Sequence, residues 1–289
     1  MLAAAILGPG STAKALKLFE RTAAARWILG VPADATACDA IVIFGGDGTI
    51  HRHLAQLVKL RLPVLVVPCG SGNDLARALN LRSIQSSLAA WRRFAAGANN
   101  TRVIDLGIIT PLETRTATYY CCVGGVGLDG EIARRANRLP RWLRARGGYA
   151  LSLPSALLKF NAQPMRIVAC NAEQPGVFTE RSNQTTVVAA FANTAGYGGG
   201  MKIAPRAQLN DGLLDVCIVG KLAKLRLLRL FPSLYFGRHL EVPEVEYFQS
   251  DRLKIETEVP LEVYADGEYV CRTPIEVNIA PKALTVVVP

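Results

Sequence analysis

At 289 residues the chain is long for one hydrophobic core, and two domains of ordinary size are expected. Half of its residues are hydrophobic and 19% are charged, which excludes disorder, while the lack of any apolar run near 18 residues excludes a membrane-spanning helix. The net charge of +10 points to an anionic partner: a nucleotide, nucleic acid or an acidic membrane surface.

Seven cysteines, scattered apart from the pair Cys121–Cys122, show no CxxC pair and no Cys/His metal spacing, so buried free thiols in a reducing compartment are expected. The opening MLAAAILGPGS has no basic stretch and only a short apolar run, unlike a secretion signal; it reads as a first strand of a cytoplasmic protein.

Ala3–Leu7 reads as that strand, ending in Gly8-Pro9-Gly10-Ser11, with a helix over Thr12–Arg26. Ile41–Phe44 is the next strand, His51–Leu60 the next helix, and Val64–Val67 a third strand ending at Pro68-Cys69-Gly70. Helices follow at Asn73–Leu79 and Ser87–Ala96. The alternation predicts a doubly wound parallel sheet with helices on both faces, an α/β nucleotide-binding domain over residues 1–107.

From about Arg102 the texture changes to β-rich runs such as RVIDLGII, ATYYCCVGGVG, MRIVAC, TTVVAAFAN, LLDVCIVG and LEVYADGEYV, separated by Gly, Pro, Asn and Asp. These predict a β-rich antiparallel sandwich or barrel over 108–281, with helical insertions near Glu131–Lys159 and Leu222–Tyr235. The closing ALTVVVP is one more strand, and 282–289 are expected to rejoin the first domain. A ligand cleft is expected between the domains.

Three strand ends in the α/β part are rich in small residues: Gly8–Ser11, Gly45–Thr49 and Gly70–Gly72. In a parallel sheet such turns share the carboxyl edge, where ligands bind. Glycines let backbone N–H groups approach phosphate oxygens, and a following helix N-terminus adds a positive dipole end. Neither a GxxxxGK[ST] loop nor a GxGxxG fingerprint after the first strand occurs. Asp47 would repel a phosphate unless Mg²⁺ bridges the two or the carboxylate holds the loop; capping a helix from Ile50 is the alternative.

The stretches VIFGGDGTIHRHL and LPVLVVPCGSGNDLARALNL resemble the catalytic domain of the diacylglycerol kinase and sphingosine kinase family, above all its bacterial lipid-kinase branch. The likeness continues in order through GVGLDGEIARRAN, NTAGYGGGMKIAPRAQLNDGLLDVCIV, YADGEYV and LTVVVP, covering nearly the whole chain. GGDGT is shared with the NAD kinases of the same superfamily, but Pro68–Arg77, Gly198–Pro205 and Asp211–Asp215 favour the lipid-kinase branch.

The resemblance implies an ATP site built from Gly8, Pro9, Gly10, Ser11, Gly45, Gly46, Asp47, Gly48, Thr49, Gly70, Ser71, Asn73 and Asp74. Gly8 replaces the family's usual Asn, and His51 and Arg52 replace its common Asn-Glu, so those side-chain roles do not transfer. It also implies a Mg²⁺ site at Gln208, Asp211 and the Leu213 carbonyl, and a second Mg²⁺ arriving with ATP. Asp266 matches the general base that accepts the lipid hydroxyl proton, with Glu268 able to assist, and Asp129 falls in a region near the lipid head group. Taken without the family, LNDGLLD is an Asp-Gly turn, Asp266-Gly267 a hairpin turn and Asp129 a helix cap.

Arg134, Arg135, Arg138, Arg141, Arg144 and Arg146 crowd one segment with Leu139, Trp142 and Leu143, and Lys221–Phe231 is a second basic apolar run. Both suit transient docking on an anionic membrane surface, or else a solvated face or ATP phosphates. Nucleic acid is excluded as a partner, because no stacking platform, helix-turn-helix, RRM or zinc motif occurs. The expected activity is ATP- and Mg²⁺-dependent phosphorylation of a lipid hydroxyl, diacylglycerol first and a sphingoid, ceramide-like or phosphatidylglycerol acceptor next. A NAD-kinase-like enzyme acting on a soluble acceptor, and a nucleotide-binding regulator without turnover, are the alternatives. The sequence is silent on oligomeric state.

Overall fold

The computed structural model describes residues 1–11, 13–22, 25–140, 143, 147–171 and 174–289. The expectations that involve Thr12, Arg141, Trp142, Arg144 and Arg146 lie outside the described residues. The chain divides into two compact units, Met1–Ile104 with Lys282–Pro289, and Asp105–Pro281.

In the first unit, strands β1 (Leu2–Leu7), β2 (Arg26–Leu29), β3 (Ala40–Gly45) and β4 (Val64–Pro68) form a parallel sheet in the order β2–β1–β3–β4. Helices α1 (Ala13–Thr22), α2 (Asp47–Leu60), α3 (Asp74–Ala78) and α4 (Ile84–Ala95) alternate with them. Val286 of the last strand, β15 (Ile275–Val287), pairs in parallel with Val64. β3 is buried at every position, which is why AIVIFG reads as an uninterrupted apolar run. Each fully buried Ile or Phe here contributes roughly 1.5–3 kcal/mol.

Several boundaries differ from the sequence-based reading. Arg26 begins the edge strand β2 instead of ending a helix, because RWIL carries β-favouring Trp and Ile. α2 begins at Asp47 and not at His51: Gly46 leaves the strand in an extended conformation and Asp-Gly-Thr already forms the first turn, where an acidic residue suits the positive helix end. α4 starts at Ile84, capped by Ser83, whose Oγ accepts the Ser86 N–H while Ser86 Oγ accepts that of Ser83.

The second unit is β-rich. β5 (Thr101–Pro111) enters it and pairs with β6 (Thr118–Tyr120); β7 (Val123–Gly127) leads into α5 (Leu128–Arg138) and α6 (Gly148–Lys159). β8 (Gln163–Asn171) and β9 (Gln174–Ala192) form a long antiparallel hairpin. After β10 (Leu214–Gly220), α7 (Lys224–Leu230) and two 3-10 turns come β11 (Val245–Ser250), β12 (Arg252–Thr257), β13 (Glu262–Ala265) and β14 (Glu268–Arg272). The antiparallel path runs β14–β13–β7–β9–β8–β12–β15, with β10 flanked by β9 and β11. Phe191, Met165, Ile167, Val216, Ile255 and Val263 are core residues that these strands share.

Candidate active site

The carboxyl-edge turns of the first unit interlock. Leu7 lies opposite Phe44 and Gly45 opposite Pro68, so the three turns leave adjacent strands at one level. Gly8 N–H donates to the Phe44 carbonyl at 2.8 Å and Cys69 N–H to the Gly45 carbonyl at 3.0 Å. A Cβ on Gly70 would lie 2.4 Å from Gly46 Cα, so the two backbones touch and neither tolerates a side chain. Asn73 holds a left-handed conformation (φ 55°); its Oδ1 accepts the Gly70 N–H and its Nδ2 donates to the Gly70 carbonyl, both at 2.8 Å.

Asp47 bridges the two loops. Its Oδ1 accepts the Leu75 N–H at 3.2 Å, and its Oδ2 fills the space where a Gly72 side chain would point. Because α2 starts at Asp47 and has no side-chain cap, the capping alternative does not hold. Asp74 pairs with Arg77, which also donates to the Gly72 carbonyl at 2.9 Å. Thr49 is buried against Gly8 and Gly45, Ser11 Oγ turns back to the Gly8 carbonyl at 2.7 Å, and Pro9 and Ser71 are exposed. Arg52 turns back on the first turn of its own helix, its Nε donating to the Gly48 carbonyl at 3.0 Å.

In the second unit, Asp266 and Gly267 form the two-residue turn between β13 and β14, with φ of 51° and 82° as that turn requires. The Asp266 carboxylate straddles two successive amides: Oδ2 accepts the Cys121 N–H at 2.9 Å and Oδ1 the Cys122 N–H at 2.8 Å. Its own N–H donates to the Val123 carbonyl at 3.0 Å. Asn193 braces the same corner, donating from Nδ2 to the Asp105 and Cys121 carbonyls and from its backbone to the Cys122 carbonyl. Asn137 of α5 donates to the Gly267 carbonyl at 2.6 Å. Neither asparagine stood out in the sequence, although an Asn closing the apolar run VVAAFAN is a detectable signal for Asn193. Glu268 is exposed and lies opposite Ala265 in the hairpin.

Gln208, Asp211 and Leu213 lie on the loop before β10. Asp211 Oδ1 accepts the Leu213 N–H at 3.1 Å, the Asx geometry of an Asp-Gly turn, and Oδ2 accepts from Gln249 at 3.2 Å. Buried Asp105, to which the sequence reading gives no role, anchors this loop through the Gly212 N–H at 2.8 Å. Gln208 and Asp211 are exposed and Leu213 half-buried. The oxygens on offer are hard donors of the kind that Mg²⁺ takes.

The second unit also contains an apolar cavity, lined by Leu128, Ile132, Leu153, Val188, Leu227 and Phe231 among others. Asp129, Tyr149, Tyr197 and His239 are among its lining residues with polar groups. Asp129 is the second residue of α5 and not its cap; its carboxylate lies over Gly125, where a Cβ would approach Oδ2 to 2.3 Å. Burial raises its pKa to about 6, opposed by a hydrogen bond from the Tyr197 hydroxyl. His239 donates from Nε2 to the Ile203 carbonyl at 3.0 Å, its Nδ1 has no partner among the described residues, and burial pushes its pKa down.

The basic segments are partly neutralised. Arg134 and Arg135 both pair with Glu131 at 2.6 Å, and Arg226 of α7 pairs with Glu244. Leu225 and Leu228 on α7, Leu151 and Leu158 on α6, and Phe236 are instead exposed. Among the described residues no helix is long and apolar enough to cross a membrane.

The chain has relatives among known kinases in sequence and in fold. The diacylglycerol kinase catalytic domain matches residues 12–109, and the YegS C-terminal NAD kinase beta sandwich-like domain matches residues 122–288. A diacylglycerol kinase of Mycobacterium tuberculosis is 33% identical over 261 residues, covering 88% of this chain and 78% of that protein. A protein of Chromohalobacter salexigens named "Probable lipid kinase YegS-like" is 30% identical over 261 residues, covering 86% and 76%. In fold, a crystal structure of a diacylglycerol kinase from Bacillus anthracis superposes with a TM-score of 0.69 at 17% identity, over 99% of this chain and 96% of that one. The chain belongs to the family of diacylglycerol kinases and YegS-like lipid kinases. Membership makes it a lipid kinase, with ATP as phosphoryl donor and a lipid as acceptor.

Proposed function

We propose that this lipid kinase phosphorylates a lipid hydroxyl with Asp266 as general base, and that diacylglycerol is the first-choice acceptor. The observation that carries the reading is the Asp266 carboxylate fixed by the Cys121 and Cys122 amides. A lipid hydroxyl holds its proton tightly, so a positioned carboxylate must take it as the oxygen attacks. Asp266 bonds to Val123 and the Asp129 carboxylate lies over Gly125, two residues along β7 or roughly 7 Å. That spacing suits a head group met by Asp129 and Tyr197 while its acyl chain enters the apolar cavity. Each buried methylene contributes roughly 0.8 kcal/mol to such binding.

The nucleotide is assigned to the first unit, its phosphates meeting the backbone of Gly8–Ser11, Gly45–Thr49 and Gly70–Asp74. In this reading Asp47, Asn73 and Asp74 shape the loops and do not touch phosphate, consistent with their bonds to Leu75, Gly70 and Arg77. Gln208, Asp211 and the Leu213 carbonyl would hold a structural Mg²⁺, with Gln249 and the Leu213 N–H orienting the Asp211 carboxylate. Bound with ATP, Mg²⁺ supplies neutralisation of the β- and γ-phosphate charge. Transient membrane contact is proposed through the exposed leucines of α6 and α7 more than through Arg134 and Arg135, whose charge is partly offset by Glu131.

The test is incubation with ATP, Mg²⁺ and a total lipid extract, followed by mass spectrometry. Phosphorylated diacylglycerol is the expected product; a water-soluble phosphorylated acceptor and unchanged lipids would contradict the reading.

A further inference from the structure

Cys121 and Cys122 are buried neighbours in the chain, and the hairpin brings Asp266 to them from 144 residues away. Their sulfurs are 3.8 Å apart, Cys121 Sγ is 3.4 Å from Asp266 Oδ2, and one ligand atom from each of the three residues lies within 4.8 Å of the others. Two thiolates on a tetrahedral zinc, at about 2.3 Å each, stand about 3.8 Å apart. A thiolate and a carboxylate oxygen on the same ion stand about 3.6 Å apart. Two edges of the triad, at 3.8 and 3.4 Å, are therefore near those of a zinc-sized tetrahedron, and the third is within 4.8 Å.

We propose that Cys121, Cys122 and Asp266 form a site for a thiophilic divalent cation of the zinc class, and that filling it inhibits the kinase. Thiolates favour Zn²⁺ or Cd²⁺ over the Mg²⁺ that oxygen-only sites take, so this site and a magnesium site select different ions. Binding displaces the two thiol protons to solvent. The Cys121 and Cys122 amides that bond the carboxylate orient it as outer-shell donors orient metal-bound carboxylates. Asp266 is half-buried, so the triad is not sealed from solvent on the hairpin side. No spacing rule finds this site, because two ligands are adjacent and the third lies on a distant turn. Cys38, Cys69, Cys170, Cys217 and Cys271 join no comparable cluster among the described residues.

Binding rests on this geometry alone; inhibition rests in addition on Asp266 being the base. The experiment is a Cd²⁺ and Zn²⁺ titration of the full chain, read by the ultraviolet cadmium–thiolate band, by X-ray absorption of the Zn²⁺ form and by lipid phosphorylation. One ion per chain is expected, with two sulfurs in the zinc shell and activity restored by chelator. Cys121→Ser/Cys122→Ser should lose the band, whereas Asp266→Asn, which keeps both thiols, should retain it with affinity lowered about tenfold or more. A zinc shell lacking two sulfurs, or a band that survives in the double serine variant, overturns the site. Ion binding with undiminished phosphorylation overturns only the inhibition.

Discussion

Asp266 and Cys122 are 144 residues apart in the chain, yet the Cys122 N–H meets Asp266 Oδ1 at 2.8 Å. With the Cys121 N–H on the other oxygen, the bond fixes the carboxylate's plane, which a freely rotating hairpin-tip side chain would lack. Asp266→Asn should therefore reduce lipid phosphorylation by about 10²-fold or more while ATP affinity stays near the parent's. The variant turns an NH₂ toward one backbone N–H, at a stability loss of roughly 1–3 kcal/mol, so rates are compared well below both melting temperatures.

Gly46 and Gly70 approach each other closely in the loops proposed to bind the nucleotide. Gly70→Ala would set a Cβ 2.4 Å from Gly46 Cα and must part the loops. Nucleotide affinity should fall by about tenfold, measured by calorimetry, with the far-ultraviolet circular dichroism of the parent retained.

Asp47 is a brace in this account. Asp47→Asn keeps an oxygen for the Leu75 N–H and should bind ATP nearly as the parent does. Asp47→Ala orphans that N–H and should weaken the loop by roughly 1–2 kcal/mol. Equal damage from both substitutions, seen in ATP titrations, would point to the charge itself and a metal role.

Asp129 gives a pH signature. Its folded pKa of about 6 lies above the ordinary carboxylate value of 3.8, so the protonated form is favoured in the folded chain. The associated stability is complete below the unfolded value and is lost as pH rises through about 6. A shift of ~2 units corresponds to roughly 3 kcal/mol. Asp129→Asn retains an acceptor for Tyr197 and should melt higher than the parent near pH 8, the advantage shrinking as pH falls through about 6 and vanishing only below the unfolded value of 3.8. A pH-independent difference in melting temperature would contradict the raised pKa.

Leu225 and Leu228 are 60% and 43% exposed on α7. Replacing both with Ser should reduce co-sedimentation with anionic vesicles several-fold, since each leucine inserted into a bilayer contributes roughly 1.5–3 kcal/mol. Activity on a detergent-dispersed lipid should change little.

Legibility in the sequence followed burial. AIVIFG and VLVV announced themselves because both faces of those strands are covered. The first half of β9, VFTERSNQ, carries no apolar pattern because it is exposed, and its membership depends on pairing with β8. The glycine turns stood out in the sequence, but Gly46 against Gly70 is a contact between loops that only the sheet register creates. The bonds of Asp105, Asn137 and Asn193 were not readable for the same reason: each acts on a segment remote in the chain. Asp266 was identified through family likeness, whereas its clamp by Cys121 and Cys122 needed the β13–β7 pairing.

The central claim is that Asp266 takes the proton from a lipid hydroxyl. Its most direct test is transfer of label from γ-³²P-ATP by the parent and Asp266→Asn, with Mg²⁺ and diacylglycerol vesicles, followed by organic extraction. Label is expected in the organic phase for the parent and almost none for the variant, with nucleotide binding retained by both. Equal organic-phase label from the two proteins would contradict it.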